Sequence, residues 1–262
     1  MPTPLQIILD PISLGVLALY AAMMAWEALA PARRLPAIRG WHLRALSCFT
    51  VYFFLSSYLP LWWDQYLLPY QLFDLGGIGA VPGLLVGLLV YNALLYGWHR
   101  SMHASNLLWR AFHQMHHSAE RIDVFGAFYF SPLDMIGFTL VGSLALTLIV
   151  GLSPEAVTLF LFSAMFLAMF QHANVKTPRW IGYFVQRPES HAIHHGRGLH
   201  RLNYADLPVF DILFGTFKNP KGYELQNGFY DGASLRVADM LLFRDVSSPR
   251  PGDGQLGSES AS

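Results

Sequence analysis

Residues 132–172 read PLDMIGFTLVGSLALTLIVGLSPEAVTLFLFSAMFLAMFQH. Two apolar stretches, Pro132–Leu152 and Pro154–Gln171, are divided only by the turn around Gly151-Leu152-Ser153-Pro154. Ser153 has the chemistry of a helix N-cap, and Pro154 fits a first helical turn, where its missing N–H has no partner to lose. Each stretch has about the ~20 residues needed to cross a ~30 Å hydrocarbon core. The pair therefore reads as a tight transmembrane helical hairpin.

Working outward, three more apolar stretches precede it, at Pro11–Ala30, Ala45–Trp63 and Pro82–Trp98. The first lacks a basic leader and is followed by Arg33 and Arg34, so it reads as a retained span rather than a secretory signal; if it lies in the interface, the span count falls from five to four. Between the second and third, residues 64–81 mix Tyr66, Pro69, Tyr70, Gly76 and Gly77 and read as interfacial or re-entrant. The part after His172 carries no span, and the Ser/Gly/Pro-rich tail from Ser247 reads as disordered. The expected architecture is an all-α integral membrane protein of four to five transmembrane helices with a cytoplasmic helical cap. Its regions are 1–98 (N-terminal spans), 99–217 (a histidine-rich region enclosing the hairpin) and 218–262 (a cytoplasmic tail).

Composition agrees. Of 262 residues, 53% are hydrophobic and 13% charged, against about 25% charged in an ordinary soluble domain. Seventeen basic and seventeen acidic residues cancel, which excludes a basic nucleic-acid surface and an acidic disordered chain. The single cysteine, Cys48, excludes a disulfide framework and a four-cysteine metal site. With the N-terminus outside, segments 31–44, 99–131 and 172–262 face the cytoplasm and hold four, three and ten of the seventeen basic residues, leaving none for the other side. The positive-inside rule thus fixes a multi-pass protein with its C-terminus and histidines cytoplasmic.

Ten of the eleven histidines lie between His99 and His200; His42 alone stands outside and reads as an interfacial residue. They form His99-Arg-Ser-Met-His103, His113-Gln-Met-His116-His117, a lone His172, and His191-Ala-Ile-His194-His195, with His200 beyond. On a helix, residues three or four apart share a face about 5–6 Å apart at Cβ, so their imidazoles converge on one ion. Nine such ligands, His99, His103, His113, His116, His117, His172, His191, His194 and His195, exceed one octahedral ion and fit two with four or five nitrogens each. Neutral imidazole suits Fe, Zn, Cu and Ni and not Mg or Ca. His200 reads as a further ligand or a residue behind the ligands. Of the carboxylates in sequence reach (Glu120, Asp123, Glu189, Asp206, Asp211), Asp211 is the first choice to orient an imidazole. Tyr96, Phe125, Phe128, Tyr129 and Phe130 are candidate channel lining.

The order HxxxH, HxxHH, HxxHH resembles the fatty acid hydroxylase/sterol desaturase superfamily. Trp98–His103, Leu108–His113, Gln171-His172-Ala173-Asn174, Asn203-Tyr204 and Phe210–Phe217 are similar to that superfamily's motifs, and the resemblance covers roughly residues 20–220. Two features depart from it. Residues 127–132 read AFYFSP with no Arg-x-His-Pro element, and Lys176 stands where some relatives carry a second histidine. The resemblance implies two iron ions, replaceable by zinc, and O2 as co-substrate, with hydroxylation or desaturation of a membrane lipid. A carotenoid-type hydroxylase is the nearest alternative. A bis-histidine haem carrier needs single histidines within two spans, and a metal transporter needs ligands at mid-membrane; neither matches histidines gathered at span ends. No Gly-rich dinucleotide motif, iron–sulfur cluster or spare haem pair is present. Electrons are therefore expected from a separate ferredoxin or small haem protein with its reductase, docking at Arg197, Arg201, Lys218 and Lys221.

Overall fold

The computed structural model describes residues 1–223 and 225–250; of the tail expected to be disordered from Ser247, residues 251–262 lie outside the described residues. Among them there is no strand, only an isolated bridge between Gly196 and Asn227. A short helix α1 (Pro4–Leu9) leads into α2 (Pro11–Leu29), followed by α3 (Trp41–Leu67) and α4 (Ala80–Ala104). A helical segment α5 covers 106–117, and the hairpin is α6 (Pro132–Val150) and α7 (Pro154–His172). The short helices α8 (Pro188–His194), α9 (Val209–Leu213) and α10 (Val237–Leu241) complete the chain. Five of these, α2, α3, α4, α6 and α7, are long and apolar enough to cross a membrane. Leu14, Leu43, Val51, Leu61, Leu85 and Leu89 lie exposed on their outer faces, as lipid-facing positions require.

The hairpin forms as its sequence dictates. The Ser131 and Ser153 hydroxyls accept the N–H groups of Asp134 and Ala156, each followed by a first-turn proline. Gly151 closes α6 at φ +62°, in the left-handed region that a side chain would strain. Residues 71–75 run along the end of α6. The N–H groups of Leu72, Phe73 and Leu75 bond to the carbonyls of Leu148, Ile149 and Val150, covering the end of α6. This run satisfies orphan carbonyls at the turn.

At the opposite end of the bundle, where α4 and α7 finish, residues 106–131, 173–223 and 225–250 build a cap over the spans. An apolar cluster joins Trp41, at the start of α3, to the cap residues Met115, Tyr129, Phe229 and Met240. Glu27, near the end of α2, accepts the backbone N–H groups of Val124 (2.9 Å) and Asn174 (2.8 Å). One carboxylate thus ties two cap segments to the spans. The indole of Trp41 donates to both Asp123 oxygens, at 3.1 and 3.0 Å.

Candidate metal centre

Nine histidines converge at the junction of spans and cap, and they divide into two groups. His99, His103, His113, His117 and His194 form one; His116, His172, His191 and His195 form the other; within each group the nitrogens lie within 4.8 Å of one another. The division cuts through each HxxHH box. Residues i and i+4 differ by about 40° around a helix, whereas adjacent residues differ by about 100°. The pairs His99/His103, His113/His117 and His191/His195 therefore stay together, while His116 and His194 turn to the other group. A π-helical turn at Trp109–His113 ends on the first histidine of the second box, in keeping with the habit of such turns to occur at functional sites.

Tautomers follow from fixed acceptors. Nδ1 of His99 donates to the Tyr204 carbonyl (2.7 Å), that of His103 to His200 O (2.7 Å), and that of His194 to Leu202 O (2.6 Å). Nδ1 of His172 donates to Ala168 O, and that of His113 to the Asp134 carboxylate, both at 2.7 Å. A carbonyl or carboxylate only accepts, so Nε2 of each of these neutral rings is bare. Yet Nε2 of His99 and Nε2 of His113 stand 2.8 Å apart. Two facing lone pairs in a buried site repel; a cation between them removes the repulsion.

In the second group Nε2 of His172 faces Nε2 of His116 at 3.1 Å and of His191 at 3.0 Å, and His191 faces His195 at 3.1 Å. Two nitrogens about 2.1 Å from a shared ion at right angles stand about 3.0 Å apart. Nε2 of His103, His117 and His194 is buried with no hydrogen-bond partner. Such orphans are costly unless something ligates them. The donor set fits a metal pair.

Burial first, then neighbouring imidazoles, hold His113, His116, His117, His191, His194 and His195 well below the usual histidine range. The rings are therefore neutral at pH 7, the form that ligates. In the unfolded chain they regain an ordinary pKa near 6.5. Between that value and their depressed folded values the unfolded state binds more protons, so stability is lost as pH falls through this window. The apparent melting temperature of metal-free protein is expected to be flat from pH 8 to 7 and to drop from pH 6.5 to 5, each titrating group adding up to about 1.4 kcal/mol per pH unit. A melting temperature that rises on acidification would contradict neutral, buried imidazoles.

The supporting layer is more extended than sequence reasoning foresaw. The turn 200–204 supplies three of the accepting carbonyls, and His200, Leu202 and Asn203 all hold positive φ (41°, 73° and 53°). Non-glycine residues there cost of order 1–3 kcal/mol each. Asn203 holds the turn by donating to Ser190 O and Lys218 O and accepting from Lys218 N. Asp211 touches no imidazole; it accepts the N–H groups of Tyr204 (2.8 Å) and Ala205 (3.0 Å) and so fixes the carbonyl that receives His99. His200 belongs to neither group: its Nδ1 lies 3.1 Å from Nδ1 of His117, and burial lowers its pKa to about 4.

Asp134, missed from the sequence, is the carboxylate that meets a ligand directly. An acidic residue at the start of an apolar span was the available signal. Glu120, Asp123, Glu189 and Asp206 bond elsewhere, to Ser234, Trp41, Thr177 and Gln171. His42 packs on Phe125, away from both groups.

Both groups open onto a small pocket of about 70 Å³ that reaches Phe128, Phe130 and Phe138. It shares Tyr52, Tyr91, Phe128, Phe138 and Ala168 with an apolar cavity of about 290 Å³ between the spans. Of the proposed lining, Phe128 and Phe130 face this space. Tyr96 instead packs on Tyr204 and Phe214, Phe125 on His42, and Tyr129 on Trp41.

Residues 84–216, just over half the chain, match the family model for fatty acid hydroxylase. The chain belongs to the fatty acid hydroxylase family. It is 29% identical over 170 residues to the ornithine lipid hydroxylase OlsE of Rhizobium tropici, covering 63% of this chain and 47% of that protein. It is 26% identical over 156 residues to the very-long-chain aldehyde decarbonylase GL1-9 of Oryza sativa, covering 58% and 60%. With the sphingolipid C4-hydroxylase SUR2 of Saccharomyces cerevisiae the identity is 31% over 158 residues, covering 56% and 43%. The matched region thus spans about half the length of these relatives. No solved structure matches the chain. The family match begins within α4 and ends just after α9, so it takes in every one of the nine clustered histidines.

Proposed function

We propose that this family member is a membrane-bound di-iron oxidoreductase that uses O2 to hydroxylate or desaturate a lipid. The observation that carries this reading is that both histidine groups open onto a small pocket that shares five lining residues with an apolar cavity between the spans. His99, His103, His113, His117 and His194 would hold one ion and His116, His172, His191 and His195 the other; zinc fits the same nitrogens. Iron supplies what no ordinary side chain can, the activation of O2 for attack on an unactivated C–H bond. The protein's own share is orientation and dryness. The carbonyls of turn 200–204 and Asp134 set ring tautomers, and Phe128, Phe130 and Phe138 keep the approach to the histidines apolar. The test is product analysis after incubating purified, iron-loaded protein with membrane lipids, O2 and a ferredoxin–reductase pair. New hydroxylated or unsaturated lipid is expected; none under any donor would refute it.

The all-or-none distribution of basic residues supports a cytoplasmic histidine cap and an outside N-terminus. A C-terminal fluorescent fusion is expected to be bright and a C-terminal alkaline phosphatase fusion inactive; the opposite pattern would reverse the orientation. The electron donor is a separate protein. Arg197 already pairs with Asp231 at 2.7 Å, so Arg201, Lys218 and Lys221, all exposed, are the charges left to steer an acidic donor.

A further inference from the structure

The cavity between the spans has two unlike ends. Near the histidines it is aromatic. At the far end Asp64, on α3, meets Thr147, on α6, whose hydroxyl donates to Asp64 Oδ2 at 2.8 Å. Asp64 Oδ1 is buried and has no partner. The serine and threonine hydroxyls that line the cavity are already engaged: Ser56 and Thr139 donate to backbone carbonyls, and Ser143 accepts from the Trp63 indole. The Tyr52 and Tyr91 hydroxyls lie at the histidine end, so at the far end Asp64 Oδ1 is the acceptor left open, a costly arrangement unless a donor arrives.

We propose that Asp64 receives the head of the substrate, and that the substrate is a single-chain amphiphile ending in a hydrogen-bond donor, a hydroxyl or an ammonium. This deepens the lipid-oxidation reading and rests on it for the claim that the cavity holds the substrate. Volume sets the single chain, because about 290 Å³ lies at the low end for one small ligand. Length sets the position of attack. Tyr52 lines the histidine pocket and Asp64 the far end, twelve residues apart on α3, or about 18 Å at 1.5 Å per residue. That is close to one leaflet of a ~30 Å hydrocarbon core. With its head at Asp64, the chain presents to the clusters a carbon remote from the head, not one beside it. Entry is sideways. Tyr52, Ser56, Leu161 and Met165 also border a recess of about 830 Å³ beside α1 and α2.

The rank order of simple ligands tests this. Tritiated tetradecan-1-ol is bound to the full-length protein in detergent and displaced by tetradecan-1-amine, tetradecane or tetradecanoate. The amine is expected to compete at least tenfold better than the alkane, and the carboxylate, repelled by Asp64, worst. In Asp64→Asn, which keeps the acceptor for Thr147, the amine advantage is expected to fall below threefold and the carboxylate penalty to disappear, with metal content unchanged. Tetradecanoate competing as well as the amine in the unaltered protein would overturn the proposal, as would an amine advantage surviving in both Asp64→Asn and Asp64→Leu. Binding is read without turnover. An inactive or metal-free preparation would therefore count against the oxidase reading without altering this rank order.

Discussion

Replacing His113 by alanine is expected to abolish lipid oxidation, while His42→Ala leaves it at the level of the unaltered protein. His113 joins more of the centre than any sequence pattern conveys. Its Nε2 stands 2.8 Å from that of His99, and its Nδ1 is held by Asp134. Its removal takes away a ligand and also leaves a buried carboxylate without its partner, a loss that costs roughly 1–3 kcal/mol or more. Alanine at His191 is expected to act alike on the four-histidine group, since its Nε2 lies beside those of both His172 and His195. The loss should exceed the 10–100-fold typical of residues that only support a ligand. Product formed per chain per minute, with circular dichroism to confirm folding, is the measurement. Wild-type turnover by either variant would remove these nitrogens from the reaction.

Asp134→Asn carries the second large effect. The carboxylate receives Nδ1–H of His113 and fixes Nε2 as the bare nitrogen. An asparagine of the same shape can present its amide oxygen and keep the tautomer, but without the negative charge that raises the basicity of the ring. Metal affinity or activity is expected to fall 10–100-fold, and Asp134→Ala to fall further, because Nδ1 then has no fixed acceptor. The distinguishing readout is metal retention during dialysis against a chelator. Both variants should lose metal faster than the parent, alanine fastest. Equal retention in all three would show that Asp134 serves only the helix start, where it follows the Ser131 cap.

The spans and the nine histidines were legible because each rests on a local regularity. Apolar runs of membrane length, the Ser153-Pro154 helix start and the i, i+4 spacing are written in adjacent residues. The division of each box into two groups was not, since it depends on how three helices and the end of α7 approach one another. The supporting layer was hidden for the same reason. Asp134 lies twenty-one residues from His113, and the carbonyl of Tyr204 reaches His99 across 105. Backbone carbonyls carry no sequence signal at all. Asp211 was singled out for the right neighbourhood and the wrong contact: it holds the turn that holds the ring. The open oxygen of Asp64 was invisible because a carboxylate near a span end is ordinarily solvated, and only the packing of α3 against α6 encloses it.

The central claim is a pair of metal ions in a nitrogen-only site, and counting them is the most direct test. The protein is purified without chelator from cells grown with iron and depleted of zinc, and metal is quantified per chain by mass spectrometry. Two iron ions per chain are expected in the parent, with clear loss in His113→Ala and His191→Ala. One ion or none in the folded parent, or two ions persisting in both variants, would contradict a centre built from these two groups of histidines.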